Sequence, residues 1–373
     1  MLARPPALAP GGTPGATPPP LNSASSASSS PSAASSPSAA VSASPPPPSE
    51  APRTLLAGGL ARGEDSPADR ALSAGDKAYF SDDIALAKAE YKKAAKLAPK
   101  DPAPRVGIIR VELSESNVPT DYAVAPKNPT VLRLLKQLEE LRVQSPDYGP
   151  VEVERGRVLL ILGRAEPALE ALTQGVRLSE SDPEAHSALG VALLATGKPA
   201  EALPRFRRAS ELDPQSADRL RNLGTAYLLI GQVPDAISAY RRAVQLTPDD
   251  SRAHSDLGTA YLAQNQPGAA LPELERAVQL DPKRATFRSN LSYAALLAGD
   301  TKRALEEARS AVALDPKLGS AWLNLGLAEA KQSHFDQAER AFKRAEQLDP
   351  TDPRVKANLQ ELEAVRRKAT DKQ

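Results

Sequence analysis

Apolar positions from about residue 68 onward fall in stripes three and four residues apart, and the stripes themselves recur every 34 residues. With Pro183 as position 1, the frame steps to Ala217, Ser251, Ala285, Gly319 and Pro353. Position 7 is Leu189, Leu223, Leu257, Leu291 and Leu325, and position 8 is Gly190, Gly224, Gly258, Ser292 and Gly326. Alanine holds position 20 (Ala202, Ala236, Ala270, Ala304, Ala338) and position 27 (Ala209, Ala243, Ala277, Ala311, Ala345). Proline holds position 32, at Pro214, Pro248, Pro282, Pro316 and Pro350. Positions 4, 7, 8 and 11 share one side of a first helix, and positions 20, 24 and 27 share one side of a second. Gly231 marks the turn between them, and Pro248 halts the second helix by biasing Thr247 away from helical dihedrals. One such hairpin cannot bury its own apolar face, so the pattern predicts stacked hairpins.

The frame runs backwards with lower fidelity. A unit at 149–182 keeps Gly156, Gly163, Ala168 and Leu172, and a first unit at 68–101 keeps Gly75, Ala87, Tyr91, Ala94 and Pro99. Between them, 102–148 is one repeat plus 13 residues, with the surplus expected near Ser116 to Asn128. It separates a helix centred on Ile108 from one carrying Leu132, Leu135, Leu138 and Leu141. The expected organisation is therefore a repeat region over 67–373, with units at 68–101, 102–148, 149–182, 183–216, 217–250, 251–284, 285–318 and 319–352, then a terminal helix over about 353–370.

The spacing Trp322-x-x-Leu325-Gly326, followed by Ala338-x-x-x-Phe342 and Pro350, resembles the tetratricopeptide repeat pattern. That resemblance implies an all-α fold, a right-handed helical solenoid of about eight helix-turn-helix repeats. Three features depart from the pattern: Glu329 stands at the usual tyrosine position, Ala308 at an aromatic position, and the second unit carries the insertion.

Composition changes the picture at the N-terminus. Residues 1–66 contain 14 Pro, 14 Ser and 14 Ala, and their charges cancel. Such a segment lacks the apolar surface needed to offset its ordering entropy, so it reads as a disordered Pro/Ser/Ala-rich tether, stiffest at Pro45 to Pro48. Its removal is expected to leave the repeats folded. Met1 to Pro10 has no apolar run of secretory length, and no stretch of the chain approaches the ~18 apolar residues of a membrane span. The expected location is cytoplasmic, or periplasmic (the envelope) if the true start lies upstream.

Chemistry narrows the function further. The chain has no cysteine, three histidines and a net charge of +1. Thiolate chemistry is excluded, and the charge balance argues against a nucleic-acid partner. His186 and His254 share position 4 with Trp322, as packed rings do, and His334 has no partner at metal-ligand spacing. No cofactor, no metal site and no catalytic residues are expected, and the chain is read as no enzyme.

Two surfaces recur. The family resemblance implies that the first helices line a concave groove, and position 6 of those helices reads Asn222, Asp256, Asn290, Asn324 and, in the terminal helix, Asn358. An amide offers both a donor and an acceptor to a peptide bond, so this row is a candidate ladder for an extended chain. It is similar to the asparagine ladder in the repeat region of O-linked N-acetylglucosamine transferase; the competing reading is that the row only packs neighbouring helices. Thr225, Thr259 and Tyr293 at position 9 flank it, with Arg221 and Arg252 as the basic exceptions in a mostly uncharged groove. An extended neutral or mildly acidic peptide is the expected ligand. The lysine clamp of chaperone-binding relatives is not recognisable. A basic stripe at positions 25 and 26 (Lys92/Lys93, Arg207/Arg208, Arg241/Arg242, Arg276, Arg309, Lys343/Arg344) reads as a solvated helix face.

The function expected from these residues is a non-enzymatic scaffold or adaptor that binds extended segments of one or more proteins in its groove. Alternatives are an envelope assembly factor of the pilus or secretin type, and a targeting subunit for a separate enzyme such as a glycosyltransferase. Oligomeric state is left open by the sequence.

Overall fold

The computed structural model describes residues 58–116 and 125–370, with side chains through residue 366. The tether expected over 1–66 lies outside the described residues as far as residue 57, as do residues 117–124 of the insertion. All regular elements among the described residues are α-helices. They are α1 (Pro67–Phe80), α2 (Ile84–Leu97), α3 (Pro102–Glu115), α4 (Pro129–Gln144), α5 (Gly149–Ile161), α6 (Ala165–Leu178), α7 (Pro183–Ala195), α8 (Pro199–Leu212), α9 (Ala217–Leu229), α10 (Val233–Leu246), α11 (Ser251–Ala263), α12 (Pro267–Leu280), α13 (Ala285–Ala298), α14 (Thr301–Leu314), α15 (Gly319–Lys331), α16 (Phe335–Leu348) and α17 (Pro353–Thr370).

The described chain forms two compact units that part at Ser116. One holds α1 to α3; the other runs from α4 to α17. The two helices read from sequence as a second repeat, α3 around Ile108 and α4, therefore fall in different units. In α4 the buried stripe is Val131, Leu134, Leu135, Leu138 and Leu141, while Leu132 is exposed. The stripe is set by the 3.6-residue period, which puts Leu132 a quarter-turn off it.

Within the longer unit each helix packs on the next, and alternate helices from α5 to α17 also touch one another. The repeat frame explains the close contact inside each hairpin. A Cβ on Gly190 would sit 2.6 Å from the Phe206 ring, one on Gly224 2.7 Å from Tyr240, and one on Gly326 2.5 Å from Phe342. Position 8 is glycine because position 24 fills its space. The exchange at the seventh repeat follows the same rule: Ser292 stands at position 8 opposite the small Ala308, and its hydroxyl donates to the Ala304 carbonyl over 2.7 Å. That departure from the sequence pattern is a compensated one.

The turns inside the hairpins are also uniform. Position 15 has a left-handed backbone at Gly197 (φ 75°), Gly231 (φ 80°) and Gly299 (φ 88°), but also at Asn265 (φ 60°) and Ser333 (φ 62°). In four of the repeats, though not at Leu220, position 4 supplies an N–H that reaches back six residues to a turn carbonyl. His186 Nε2 meets Glu180 O at 2.9 Å, His254 Nε2 meets Pro248 O at 2.9 Å, Arg288 Nε meets Pro282 O at 3.1 Å, and Trp322 Nε1 meets Pro316 O at 2.9 Å. The histidines and the tryptophan occupy one slot because each offers the same donor at the same reach.

Candidate functional site

In the shorter unit the candidate surface is already filled by the chain itself. Residues 58–66, which composition assigns to a disordered tether, lie against α1 and α3. The Leu60 and Ala61 amides both donate to Asp76 Oδ2, at 2.6 and 2.8 Å, and the Arg62 amide donates to Asp69 Oδ1 at 2.7 Å. Successive N–H groups converging on one oxygen make an anion-binding arrangement. Arg110 Nη1 donates to the Gly58 carbonyl at 2.9 Å, and the Arg62 guanidinium meets both Asp101 oxygens at 2.8 Å. Leu60 is 3% exposed, and Asp69, Asp76 and Arg110 are each buried.

The electrostatics of this cradle follow from burial. Burial pushes the Asp76 carboxyl above its usual range, against the Ala61 and Leu60 amides, the Tyr91 hydroxyl and Arg110, which favour the charged form. Tyr91 is fully buried between Gly75 and Gly107 and donates to Asp76 Oδ1 at 2.8 Å. Burial and that carboxylate push its hydroxyl up, so it remains a donor. Burial would raise Asp101 too, but Arg62 and the Ala103 amide hold it low.

Sequence reasoning passed over Asp69, Asp76 and Arg110. Their signal was available, since in the frames begun at residues 68 and 102 they occupy positions 2 and 9, the positions chosen in later repeats.

In the longer unit the position-6 row is used between repeats. Asn324 Nδ2 donates to the Ser289 carbonyl at 2.9 Å and its hydroxyl at 3.0 Å. Asn290 Nδ2 lies 3.5 Å from Ser255 Oγ and 3.3 Å from Thr259 Oγ1. Asp256 accepts from Arg221 Nε at 2.8 Å. Apart from the Asn290–Thr259 contact, which spans 31 residues from position 9, each pair spans 35 residues, from position 5 of one repeat to position 6 of the next. Asn222 is half-buried, and its counterpart Ser187 is taken by Arg219 at 3.2 Å. At Asn358 the counterpart is Leu323, whose side chain has no polar group to offer; the Asn358 Nδ2 turns to Arg354 O at 2.8 Å and the buried Asn358 Oδ1 has no hydrogen-bond partner.

The flanking residues divide by exposure. Thr259 and Tyr293 are buried, Tyr293 packing with Leu262, Leu274 and Leu291, while Thr225 is half-buried and bonded to the Tyr240 hydroxyl at 2.9 Å. Adjacent first helices press against one another and cover much of position 9. The two arginines are met by carboxylates: Arg221 by Asp256, by Asp218 at 3.1 Å and by Asp250 at 3.7 Å, and Arg252 by Asp250 at 3.8 Å. Farther along, Arg157 pairs with Glu154 at 3.0 Å and Glu184 at 3.4 Å. This face is charged and internally paired, where the sequence suggested a mostly uncharged one. Burial pushes the Asp256 carboxyl up to about 6, only partly opposed by Arg221.

On the second helices, Arg207, Arg241 and Arg309 each reach the next repeat. Their partners, 20 residues on, are the Tyr227 hydroxyl at 3.4 Å, the Tyr261 hydroxyl at 3.0 Å and Glu329 at 2.8 Å. Glu329 thus substitutes for a tyrosine as an acceptor, and His334 also contacts it at 2.8 Å. Among the described residues, no group of three or more His, Cys, Asp or Glu is placed to hold a metal ion, and no helix is long and apolar enough to cross a membrane.

Comparisons with known proteins bear on the fold. One tetratricopeptide repeat model matches residues 153–217, 188–251 and 255–319, and a second matches 295–362. A search of curated proteins finds no significant match. Among solved structures the chain is similar to the APC/C hetero-tetramer Cut9–Hcn1, with a TM-score of 0.63 and 13% identity over 79% of this chain and 56% of that one. The chain thus spans little more than half the length of that relative. PilF of Pseudomonas aeruginosa aligns with a TM-score of 0.50 and 20% identity, over 59% of this chain and 98% of its own. YrrB, a tetratricopeptide protein described as having an unusual peptide-binding site, aligns over 50% of this chain and 96% of its own at 22% identity and a TM-score of 0.40. Repeat frame, helix pairing and family models agree: the chain belongs to the tetratricopeptide repeat family, whose members are generally non-catalytic protein-interaction scaffolds.

Proposed function

We propose that this protein is a non-enzymatic scaffold that binds non-helical segments of other proteins along its first-helix faces. The observation that supports this reading is the segment Gly58 to Arg62, held through its backbone by Asp76, Asp69 and Arg110. Buried side chains that grip main-chain groups hold a peptide by its backbone, and selectivity comes from the few side chains that reach the surface, here Leu60 and Arg62. In the longer unit the candidate contacts are the groups that packing leaves partly exposed: Asn222, Arg221, Arg252, Asp256 and Thr225. Many weak contacts on a preformed surface lower the ordering cost on the scaffold's side.

The test is a peptide-library selection against the full chain, repeated with a variant carrying Asn222→Ala and Arg252→Ala. Selected peptides that bind the wild type and lose about tenfold or more in affinity for the variant, the ~1.4 kcal/mol per decade of two lost polar contacts, support the reading. Peptides bound equally by both forms would remove this face from consideration.

A further inference from the structure

We infer that the cradle formed by Asp69, Asp76, Asp101 and Arg110 is an exchangeable peptide site, and that Gly58 to Arg62 is its built-in occupant. The inference rests on the scaffold reading above and adds a ligand class and a means of regulation. The ligand is a short non-helical peptide with an apolar residue followed two positions later by arginine, the pattern of Leu60 and Arg62.

Three observations carry it. First, the cradle is built for main-chain donors. Asp76 and Asp69 are 2% and 4% exposed, and both spend carboxylate oxygens on the amides of the strap. Departure of the strap takes three main-chain donors from these carboxylates, and another chain that brings N–H groups in the same geometry restores them. Second, the N-terminal cap of α1 is made by a residue outside the strap. Helix α1 is capped by Ser66, whose hydroxyl accepts from the Asp69 amide at 3.0 Å, and Gly63, at φ 79°, lies between that cap and Arg62. A glycine with a left-handed backbone there gives a hinge at which the strap can swing while the cap stays in place. Third, the side-chain recognition is specific. The Arg62 guanidinium meets the Asp101 carboxylate through two parallel bonds of 2.8 Å, a geometry lysine cannot reproduce.

An occupant tethered this closely competes at an effective concentration in the millimolar range, so an outside peptide meets a site that is mostly filled. Its apparent affinity is reduced by the fraction of molecules whose strap is in place. Whatever loosens the strap therefore opens the site.

The experiment uses the full chain and a labelled peptide of the sequence Gly58 to Asp65. Binding is measured to the wild type and to a strap-weakened chain carrying Leu60→Asp and Arg62→Ala, with helix content checked by circular dichroism. The expected result is binding to the strap-weakened chain about tenfold or more tighter than to the wild type, because the tethered competitor has been lost. A control peptide with the same two substitutions should bind neither chain. Equal affinity for both chains, or no binding to a strap-weakened chain of unchanged helix content, overturns the inference.

Should the substitutions unfold the shorter unit, hydrogen exchange on the wild-type chain decides. Amides of Leu60, Ala61 and Arg62 exchanging about tenfold or more faster than buried amides of α1 and α3 show that the strap opens on its own. Exchange at the same slow rate makes it a permanent part of the fold. Failure here leaves the scaffold reading intact if library peptides still bind in a manner sensitive to Asn222 and Arg252.

Discussion

Asn324 donates from Nδ2 to both the carbonyl and the hydroxyl oxygen of Ser289, a residue 35 positions earlier on the neighbouring first helix. Both side chains are buried, at 5% and 1% exposure. An amide that ties two repeats together this way is committed to packing, whereas Asn222, in the same slot two hairpins away from Asn290, is half-buried. Asn324→Ala is expected to destabilise the longer unit by ~1–3 kcal/mol, the cost of leaving a buried acceptor unpaired. Asn222→Ala should stay within ~0.5 kcal/mol of the wild type. Thermal unfolding followed by the fluorescence of Trp322, the one tryptophan, checks the first, and far-UV circular dichroism the second. Equal losses in the two variants would contradict the assignment.

The contact between Gly224 and Tyr240 predicts a coupled pair. A side chain at Gly224 would collide with the ring, so Gly224→Ser is expected to cost ~1–3 kcal/mol. Tyr240→Ala empties the space, as Ala308 does opposite Ser292. The double variant should therefore lose less than the sum of the two single losses, by ~0.5–3 kcal/mol in a double-mutant cycle. Additive losses would mean that the two positions do not share one space.

The turn at Ser333 holds a left-handed backbone (φ 62°) where four other hairpins have glycine, at Gly163, Gly197, Gly231 and Gly299. That conformation costs an ordinary L-residue ~1–2 kcal/mol, against the ~0.5–1 kcal/mol of extra unfolded-state entropy that glycine brings. Ser333→Gly is expected to stabilise the protein by up to ~1 kcal/mol. Asn265→Gly should gain less, because asparagine tolerates the left-handed region. Chemical denaturation of the two variants gives the order directly; a loss of stability in both would refute the argument.

Asp256 makes a prediction about pH. Its folded value of about 6 lies above the ordinary 3.8, so the folded state binds the proton more tightly than the unfolded chain does. This residue's contribution is neutral below about 4, and it becomes destabilising as pH rises through the interval up to about 6. Asp256→Asn cannot titrate. The melting temperature of the variant relative to the wild type should therefore increase from pH 4 to pH 7, and a difference that stays flat across that range would show that Arg221 offsets the burial fully.

How much of this was legible beforehand depends on the range of the interaction. The small residue at position 8 and the stripe at positions 20 and 27 repeat because backbone geometry repeats, and they give the hairpins from sequence alone. The role of position 4 was half visible: histidine and tryptophan in one slot suggested packing, but the shared donor to a turn carbonyl appears only once that turn is placed. Position 6 was identified as special, yet its partners lie at position 5 of the preceding repeat, and whether Asn290 meets Ser255 or solvent depends on how closely the first helices approach. The docked strap was hidden for a different reason. Leu60 to Arg62 lies near the end of a 66-residue segment rich in proline, serine and alanine, and composition averaged over that segment hides the local run Thr54 to Gly63, which has no proline or serine.

The two kinds of contact also differ in what they permit when repeats are duplicated or shuffled. Gly224 and Tyr240 lie in one hairpin, so a copied repeat carries its own lock and key. Arg221 with Asp256, and Ser289 with Asn324, straddle a junction, so each repeat fits only behind a suitable neighbour. Moving the hairpin of Asp256 behind that of Ser289 would set a carboxylate, already reluctant to ionise, against a hydroxyl in place of a guanidinium. The order of the repeats is thereby written into their junctions, and lineages that rearrange them must repair each seam.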